Sequence, residues 1–244
     1  MLPEIKIISL WMPYHLGSCN CYLIKTGADY ILIDTGFPSK RADLEQELAS
    51  AGCRPGNLKI IVLTHGDGDH VGNCVYLRKK YSTQDHPVKI AIHRFEAGVV
   101  ENADDTLSRR RPPFLARLIS GIILRLLAAF IHLGRIERFK PDFYLEEGDN
   151  LSDYGFDARI LLLPGHSKGS IGILTTGSDP SAGPGQVLFC GDLLWNMRKP
   201  GPHGMIDDAV ELNASLERLK SLDIKTIYPG HGKPFPMTAL AIGN

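Results

Sequence analysis

Thr64-His65-Gly66-Asp67-Gly68-Asp69-His70 places two histidines and two aspartates within six residues. It follows the apolar run of residues 59–63, which has the length and composition of a buried strand. Its glycines let the backbone turn tightly, so that several side chains can converge on one point. Imidazole and carboxylate groups are the usual ligands of zinc, manganese and iron. The stretch therefore predicts half of a metal site, and a solvated polar turn is the alternative.

Three later segments repeat this arrangement, in which an apolar run is followed by a glycine turn and a possible ligand. They are Pro164-Gly165-His166, Cys190-Gly191-Asp192 and Pro229-Gly230-His231. Four strands are thus predicted to end beside candidate ligands, which makes an accidental polar turn the weaker interpretation. The candidate metal ligands of the whole chain are His65, Asp67, Asp69, His70, His166, Asp192 and His231.

This series of motifs resembles that of the metallo-β-lactamase superfamily of metal-dependent hydrolases, whose pattern is His-x-His-x-Asp-His, then Gly-His, Gly-Asp and Gly-His. The resemblance runs from about Asn20 to His231. It implies an α+β fold, which is a four-layer αββα sandwich, here with a helical insertion. It also implies two divalent metal ions, zinc in the first instance, with iron or manganese as alternatives.

Asp67 departs from the family's pattern, because it stands where a second histidine is usual. If Asp67 binds metal, a third carboxylate makes the metal pair a weaker Lewis acid and favours iron or manganese. If it does not reach the metal, only one metal position fills and Asp67 acts as a base. The other ligands implied by the resemblance are His65 and His166 in the first position, Asp69, His70 and His231 in the second, and Asp192 as the bridge.

The resemblance implies a hydrolase in which a hydroxide that bridges the two metals attacks the substrate, since metal lowers the pKa of water from about 15.7 toward 7. Asp192 and Asp69 are the candidate catalytic residues, Asp69 by assisting the leaving group. The lactonase and glyoxalase-II-like branch fits best, although Trp195 stands where lactonases usually place a tyrosine. The expected substrate is a small, acyl-bearing ester, thioester or lactone. A phosphodiesterase of the same fold and a ligand-binding scaffold without catalysis are the alternatives.

Three further residues are candidates for supporting roles. Asp34 ends the apolar run of residues 31–33, where an unpaired carboxylate would be costly. The resemblance implies that Asp34 supports the metal loop through hydrogen bonds that orient the ligands. A helix cap or a turn is the alternative. His203 lies on a loop soon after Asp192, and with Trp195 it is predicted to contact substrate. A surface histidine is the alternative for His203.

The remaining pattern alternates short strands with helices, which favours sheets covered by helices. Helices are predicted at residues 39–51, 71–81 and 207–222. Strands are predicted at residues 5–10, 21–25, 30–34, 59–63, 88–92, 159–163, 171–175, 187–190 and 224–228.

Composition limits the possible class of protein. The chain has 244 residues, which suits one domain over 1–244, and a formal net charge of zero, which gives nucleic acid no attraction. Its five cysteines are scattered at unrelated spacings, which favours free thiols. No secretory signal is visible at the N-terminus, so we expect a cytoplasmic location.

The alternation of strands and helices gives way to a helical pattern at residues 93–140, which are predicted to form a lid inserted within the domain. Their apolar window, 114–133, is long enough to raise a transmembrane interpretation. Arg117 and Arg125 argue against a stable transmembrane anchor, because each costs about 2.5–3.5 kcal/mol near a bilayer centre. Such a helix must be covered by the body of its own domain, by a second copy in a homodimer, or by an amphiphile.

Overall fold

The computed structural model describes residues 4–11, 17–103, 136–179 and 183–240, whose strands form two sheets. In the first sheet, three antiparallel strands are followed by strands that run parallel to the third. In spatial order its strands are β1 (Glu4–Trp11), β2 (Ser18–Thr26), β3 (Asp29–Ile33), β4 (Leu58–Val62), β5 (Lys89–His93) and β6 (Phe143–Leu145).

The second sheet contains the remaining described strands. They are β7 (Ala158–Leu162), β8 (Ile171–Asp179), β9 (Gly183–Asn196), β10 (Gly201–Pro202), β11 (Ile224–Gly232) and β12 (Phe235–Pro236). Their spatial order is β12-β11-β9-β8-β7, with β10 on β9. Only the β9–β11 pair is parallel among these described strands, and this pair lies inside the sheet.

Helices cover the outer face of each sheet. The described helices are α1 (Arg41–Ser50), α2 (Gly68–Val71), α3 (Cys74–Tyr81), α4 (Ala97–Asn102) and α5 (Ala209–Lys220). Leu44 and Leu48 of α1 pack with Leu77 of α3 on the first sheet, and Leu212 and Leu216 of α5 pack on the second. The layers therefore follow the order αββα, and the predicted fold class is confirmed.

The inner faces of the two sheets meet in an aromatic core. Phe189 of β9 lies at its centre, with its ring centroid 5.0 Å from that of Tyr22 and 5.0 Å from that of Tyr228. The ring of Phe156 also packs here, with its centroid 6.5 Å from that of Phe189. These contacts hold the two sheets together close to the segments that carry the candidate ligands.

Several predicted element bounds differ from the structure, among them strand 171–175, which extends to Asp179, and the following differences bear on the site. The helix predicted at 71–81 is broken into α2 and α3, because the Asn73 backbone N–H donates to Thr35 Oγ1 and its side chain donates to the carbonyls of Thr35 and Phe37. The strands β9 and β11 do not end before Asp192 and His231 but continue through them, with shifts of register at the ligands. Such bulges redirect side chains without ending a strand.

The cysteines are buried and none of the five forms a disulfide, so the prediction of free thiols is confirmed. Burial raises the pKa of the Cys53, Cys74 and Cys190 thiols to about 12, which keeps them protonated. Cys19 lies beside the metal loop, where its Sγ donates to the Asp69 carbonyl at 2.9 Å.

The predicted lid falls largely outside the described residues. Residues 104–135, with the apolar window 114–133, are among those that the structure does not describe, so the lid and the homodimer stay predictions. Within the described ranges, no helix has both the length and the apolar character that crossing a membrane requires.

Truncation of the central aromatic residue tests the packing of the two sheets. We expect Phe189→Ala to lower the free energy of unfolding by about 3–5 kcal/mol, because it leaves a cavity between them. Urea unfolding measures this loss. As a control, Val210→Ala on α5, whose residue is 78% exposed, is expected to change stability by less than about 0.5 kcal/mol. Similar losses in both variants would contradict the assigned core.

Candidate metal centre

Asp34 fastens the two ends of the metal loop to the first sheet. Its buried carboxylate accepts hydrogen bonds from the Thr64 backbone N–H at 2.9 Å, the Thr64 hydroxyl at 2.8 Å and His70 Nδ1 at 2.8 Å. The Asp34 backbone has a φ of 58°, in the left-handed region, which aspartate tolerates better than most residues. The turn directs the side chain under the loop instead of along the strand.

His65 and His70 are both oriented through this carboxylate. His70 donates its Nδ1–H to Asp34 directly. The hydroxyl of Thr64 directs its one proton to Asp34, so at 3.0 Å it must accept the Nδ1–H of His65. The Nε2 atom of each ring therefore faces the interior of the cluster with its lone pair available for a cation.

The other two motif histidines are oriented by backbone carbonyls. His166 donates its Nδ1–H to the Met205 carbonyl at 2.7 Å, and His231 donates its Nδ1–H to the Ser18 carbonyl. The His166 turn is itself held by α5, since the Gly165 carbonyl accepts the N–H of the helix cap Asp208 at 3.0 Å. A side chain on Gly165 would lie 2.4 Å from the backbone of Leu212 in this helix.

One group of ligand atoms comprises His65, Asp67 and His166, which lie within 4.8 Å of one another. Asp67 Oδ2 is 3.2 Å from His166 Nε2 and 3.7 Å from His65 Nε2. Asp67 thus occupies the place expected of a third ligand in the first position. Its carboxylate lies within reach of this position, and whether it acts there as a ligand or as a base stays a prediction.

A second group forms around Asp192 and His231. His231 Nε2 lies 3.1 Å from Asp192 Oδ2 and 3.3 Å from Asp69 Oδ2. His70 Nε2 is 3.2 Å from the other Asp192 oxygen, Oδ1. Asp192 also lies toward the first group, with Oδ2 at 3.8 Å from His166 Nε2. The structure therefore brings all seven predicted ligands together, with the Asp192 carboxylate between the two groups.

These spacings fit divalent cations. Ligand atoms around a tetrahedral ion at about 2.0–2.1 Å lie about 3.3 Å apart. The three closest pairs here are His231 with Asp192 at 3.1 Å, His166 with Asp67 at 3.2 Å and His70 with Asp192 at 3.2 Å. His65 Nε2 and Asp192 Oδ1 are buried and have no hydrogen-bond partner among the described residues. Unpaired buried polar atoms are costly, and a bound cation would satisfy both.

The charges of the clustered carboxylates are also compatible with a site for cations. Burial alone would raise the pKa of Asp192, but His231 and His70 hold it well below its usual range. Burial likewise opposes ionisation of Asp67, but the hydrogen-bonded His166 and the nearby His65 keep its pKa well below the usual value. With Asp69, whose pKa is also lowered, the cluster holds three ionised carboxylates. Burial opposes protonation of His70 and His231, but Cys19 and Asp192 raise the pKa of His70, and Asp192 raises that of His231, well above the usual value. These imidazolium charges partly balance the carboxylates, and a bound divalent cation would take the place of their protons.

The two predicted substrate contacts lie next to this cluster. His203 is buried, with its Nε2 at 3.7 Å from Asp192 Oδ2 and its ring centroid 5.0 Å from that of His166. Burial lowers the pKa of His203, which favours the neutral ring. Trp195 is half-buried and packs against His203, with 4.9 Å between the ring centroids. A ring nitrogen of His203 lies within 4.8 Å of ligand atoms of His166 and Asp192, so these three side chains form a further group that could hold a metal ion. Trp195 stands at the edge of this group.

Several supporting groups were not found from the sequence. The carbonyls of Ser18 and Met205 orient histidines, but a backbone carbonyl has no residue signature. Asn20 is buried, and its side chain donates to the carbonyls of Pro229 and Gly232 on either side of His231. Its position on a strand between two cysteines gave no indication of this contact.

Comparison with known proteins agrees with this geometry. A family model described as the metallo-beta-lactamase superfamily matches residues 15–231, which is most of the chain. The chain therefore belongs to the metallo-β-lactamase superfamily of hydrolases, as its motifs indicated.

Two relatives and one solved structure illustrate the similarity. The chain is 24% identical over 223 residues to "Beta-lactamase-like protein 2 homolog" of Caenorhabditis elegans, covering 90% of this chain and 58% of that protein. It is 30% identical over 178 residues to the hydroxyacylglutathione hydrolase GloC of Haemophilus influenzae, covering 72% and 66%. The chain thus spans less than two thirds of both relatives. A metallo-beta-lactamase family protein of Thermus thermophilus superposes with a TM-score of 0.65 at 24% identity, covering 96% and 75%, which supports the fold.

Replacing the carboxylate behind the metal loop tests the orientation of the histidines. In Asp34→Asn an amide N–H must face either the Thr64 N–H or the His70 Nδ1–H, so one hydrogen bond is lost. We expect metal affinity to fall about 10–100-fold, measured by competition with a chromophoric chelator. Asp153→Asn, at an exposed aspartate, is the matched control and should leave affinity unchanged. Unchanged affinity in Asp34→Asn would contradict the supporting role of this carboxylate.

Proposed function

We propose that this chain is a metal-dependent hydrolase that cleaves thioesters, with esters and lactones as related substrates. One observation carries the proposal, namely that four histidines donate their Nδ1–H groups outward and present Nε2 to a cluster of three carboxylates. Two divalent cations would be held there by His65, Asp67 and His166 in the first position, by Asp69, His70 and His231 in the second, and by Asp192 between them.

Zinc is the metal that we propose first. Four imidazole nitrogens with carboxylate oxygens are a ligand set that suits zinc, and the short ligand spacings are compatible with it. The oxygen ligand Asp67 in the first position keeps iron and manganese as alternatives. Elemental analysis of protein purified without added metal distinguishes these ions.

The bound cations and the side chains would have different roles in the reaction. Bound cations would supply an acidified water as the nucleophile and would polarise the carbonyl under attack. Asp69 is 23% exposed at its side chain, whereas Asp67 and Asp192 are nearly inaccessible, so Asp69 is the carboxylate that a substrate can approach. We assign Asp69 to take the proton of the attacking water and to pass it to the leaving atom. The water oxygen joins the carbonyl carbon, the C–S bond breaks, and the thiol leaves with that proton.

A thioester is favoured by the relative and by the residues at the edge of the site. The relative in Haemophilus influenzae is named for hydrolysis of hydroxyacylglutathione, in which an acyl group is carried by glutathione. Trp195 and His203 offer an aromatic surface and a neutral imidazole, which suit an uncharged acyl group better than a phosphodiester. The formal net charge of zero gives a nucleic-acid substrate no added attraction. A cytoplasmic location is part of the same proposal.

A substrate panel tests the proposed function. The metal-loaded protein is expected to hydrolyse an acylglutathione thioester faster than an acyl-homoserine lactone or bis(p-nitrophenyl) phosphate, and to lose activity after chelation.

Asp192→Asn is expected to lower kcat/KM by about 100-fold or more, since it removes a charge from the centre of the site. Asp153→Asn serves as the control. Turnover of the phosphodiester alone, or metal binding without any turnover, would contradict the proposal and favour a phosphodiesterase or a binding scaffold, respectively.

Substitution of His203 separates substrate contact from metal binding. We expect His203→Gln to keep the metal content of the wild type while kcat/KM for the thioester falls about 10–100-fold, as for loss of a positioned polar group. His86→Gln, at an exposed histidine, is the control and should change neither quantity. Loss of metal from His203→Gln would show that this ring is a ligand and would contradict the proposed role.

A further inference from the structure

Glu96 joins the two loops that carry the ligands of the first metal position. It follows β5 and is buried, with 1% of its surface exposed. Its Oε2 accepts the Gly66 backbone N–H at 2.9 Å, and its Oε1 accepts the Gly169 backbone N–H at 2.9 Å. One carboxylate thus bridges two backbone segments that are far apart in the sequence.

Close packing leaves no room for a side chain at either contacted residue. A Cβ atom on Gly66 would be 2.9 Å from both Glu96 Oε2 and Val99 Cγ1, and one on Gly169 would be 2.7 Å from Glu96 Cγ. Neither glycine is among the described residues with a positive φ, so close approach and not backbone conformation excludes a side chain here. Glu96 alone thus crowds Gly169, whereas Glu96 and Val99 together crowd Gly66.

The bridged segments carry the ligands that must meet. Gly66 lies between His65 and Asp67, and Gly169 is three residues after His166. Across this junction Asp67 Oδ2 lies 3.2 Å from His166 Nε2, and the rings of His65 and His166 are 4.6 Å apart between centroids. A change in the separation of the two loops would alter both distances at once.

The second metal position is held by different contacts. His70 donates to Asp34, and His231 donates to the carbonyl of Ser18. These accepting groups lie on β2 and directly after β3, whereas Glu96 lies after β5. A loss at Glu96 should therefore affect the first position more than the second.

We propose that Glu96 is a positioning residue for the first metal position, which it serves by fixing the distance between the His65–Asp67 segment and the His166 turn. This inference rests on the proposed metal-dependent function. The two hydrogen bonds of Glu96 contact the backbone on which those ligands are carried and do not involve the ligand atoms themselves.

A metal titration of the Glu96→Gln variant tests the inference. Glutamine has one side-chain oxygen, so its NH₂ group must face one of the two backbone N–H groups and that hydrogen bond is lost. Zinc is titrated against a chromophoric chelator into metal-free protein, whose folded state is verified by circular dichroism. We expect two binding steps in the wild type. In Glu96→Gln we expect the step assigned to the first position to weaken about 10–100-fold while the other step is unchanged.

A control variant and two further variants complete the titration experiment. Glu101→Gln, at an exposed carboxylate on α4, should bind zinc as the wild type does. If Glu96→Gln does not fold, Gly169→Ala is used in its place. Its added Cβ presses against Glu96, so it should weaken the same zinc-binding step. An Asp67→Ala variant identifies that step, because it removes a ligand from the first position.

Results that would refute the role of Glu96 differ from the result that would refute the proposed function. Two unchanged steps in a folded Glu96→Gln, or in the Gly169→Ala variant that replaces it, would overturn the role of Glu96 and leave the proposed hydrolase intact. Equal weakening of both steps would also overturn it, because a general loss of structure does not select one position. Absence of zinc binding by the wild type would instead refute the proposed function itself.

Discussion

The hydrogen bonds at the buried carboxylate of Asp34 are the constraint on which the site depends most. Through Thr64 this carboxylate orients His65, and directly it orients His70, so one side chain sets one histidine in each of the two groups of candidate ligands. Burying such a carboxylate is costly unless its oxygens are satisfied, and here three donors satisfy them. The left-handed backbone of Asp34 is the local strain that makes this geometry possible.

Close approach of backbone segments completes the cluster. A Cβ on Gly191 would lie 2.6 Å from Thr64 Oγ1, and a Cβ on Gly230 would lie 2.2 Å from Asp192 Oδ1. The glycine before each ligand therefore allows the second sheet to reach the metal loop of the first. The parallel pairing of β9 with β11 places Gly191 opposite Pro229, which brings the Asp192 and His231 segments side by side. The aromatic core between the sheets fixes their separation.

Glycine turns after apolar runs have a local signature, which indicated the candidate ligands. The resemblance to the metallo-β-lactamase superfamily implied the fold class, which is confirmed, and the division of the ligands between two metal positions, which stays a prediction. The sequence did not predict that β9 and β11 continue past Asp192 and His231, since a bulge depends on the neighbouring strand and not on the residue pattern alone. The break after α2 depends on Asn73 reaching Thr35 and Phe37, which is a long-range contact. Glu96 was missed for the same reason: its partners are backbone N–H groups, which any sequence supplies. Asp67 was recognised as a departure, but only the structure could place its carboxylate beside His166.

The proposed hydrolase requires that these side chains gather around a pair of cations. Anomalous diffraction from crystals of the protein purified with its native metal measures this most directly. We expect two peaks, one among His65, Asp67 and His166 and the other among Asp69, His70 and His231, with Asp192 between them. Absence of both peaks in a metal-replete crystal, or histidine rings turned so that Nε2 points away from the cluster, would contradict the metal site and the hydrolase that rests on it.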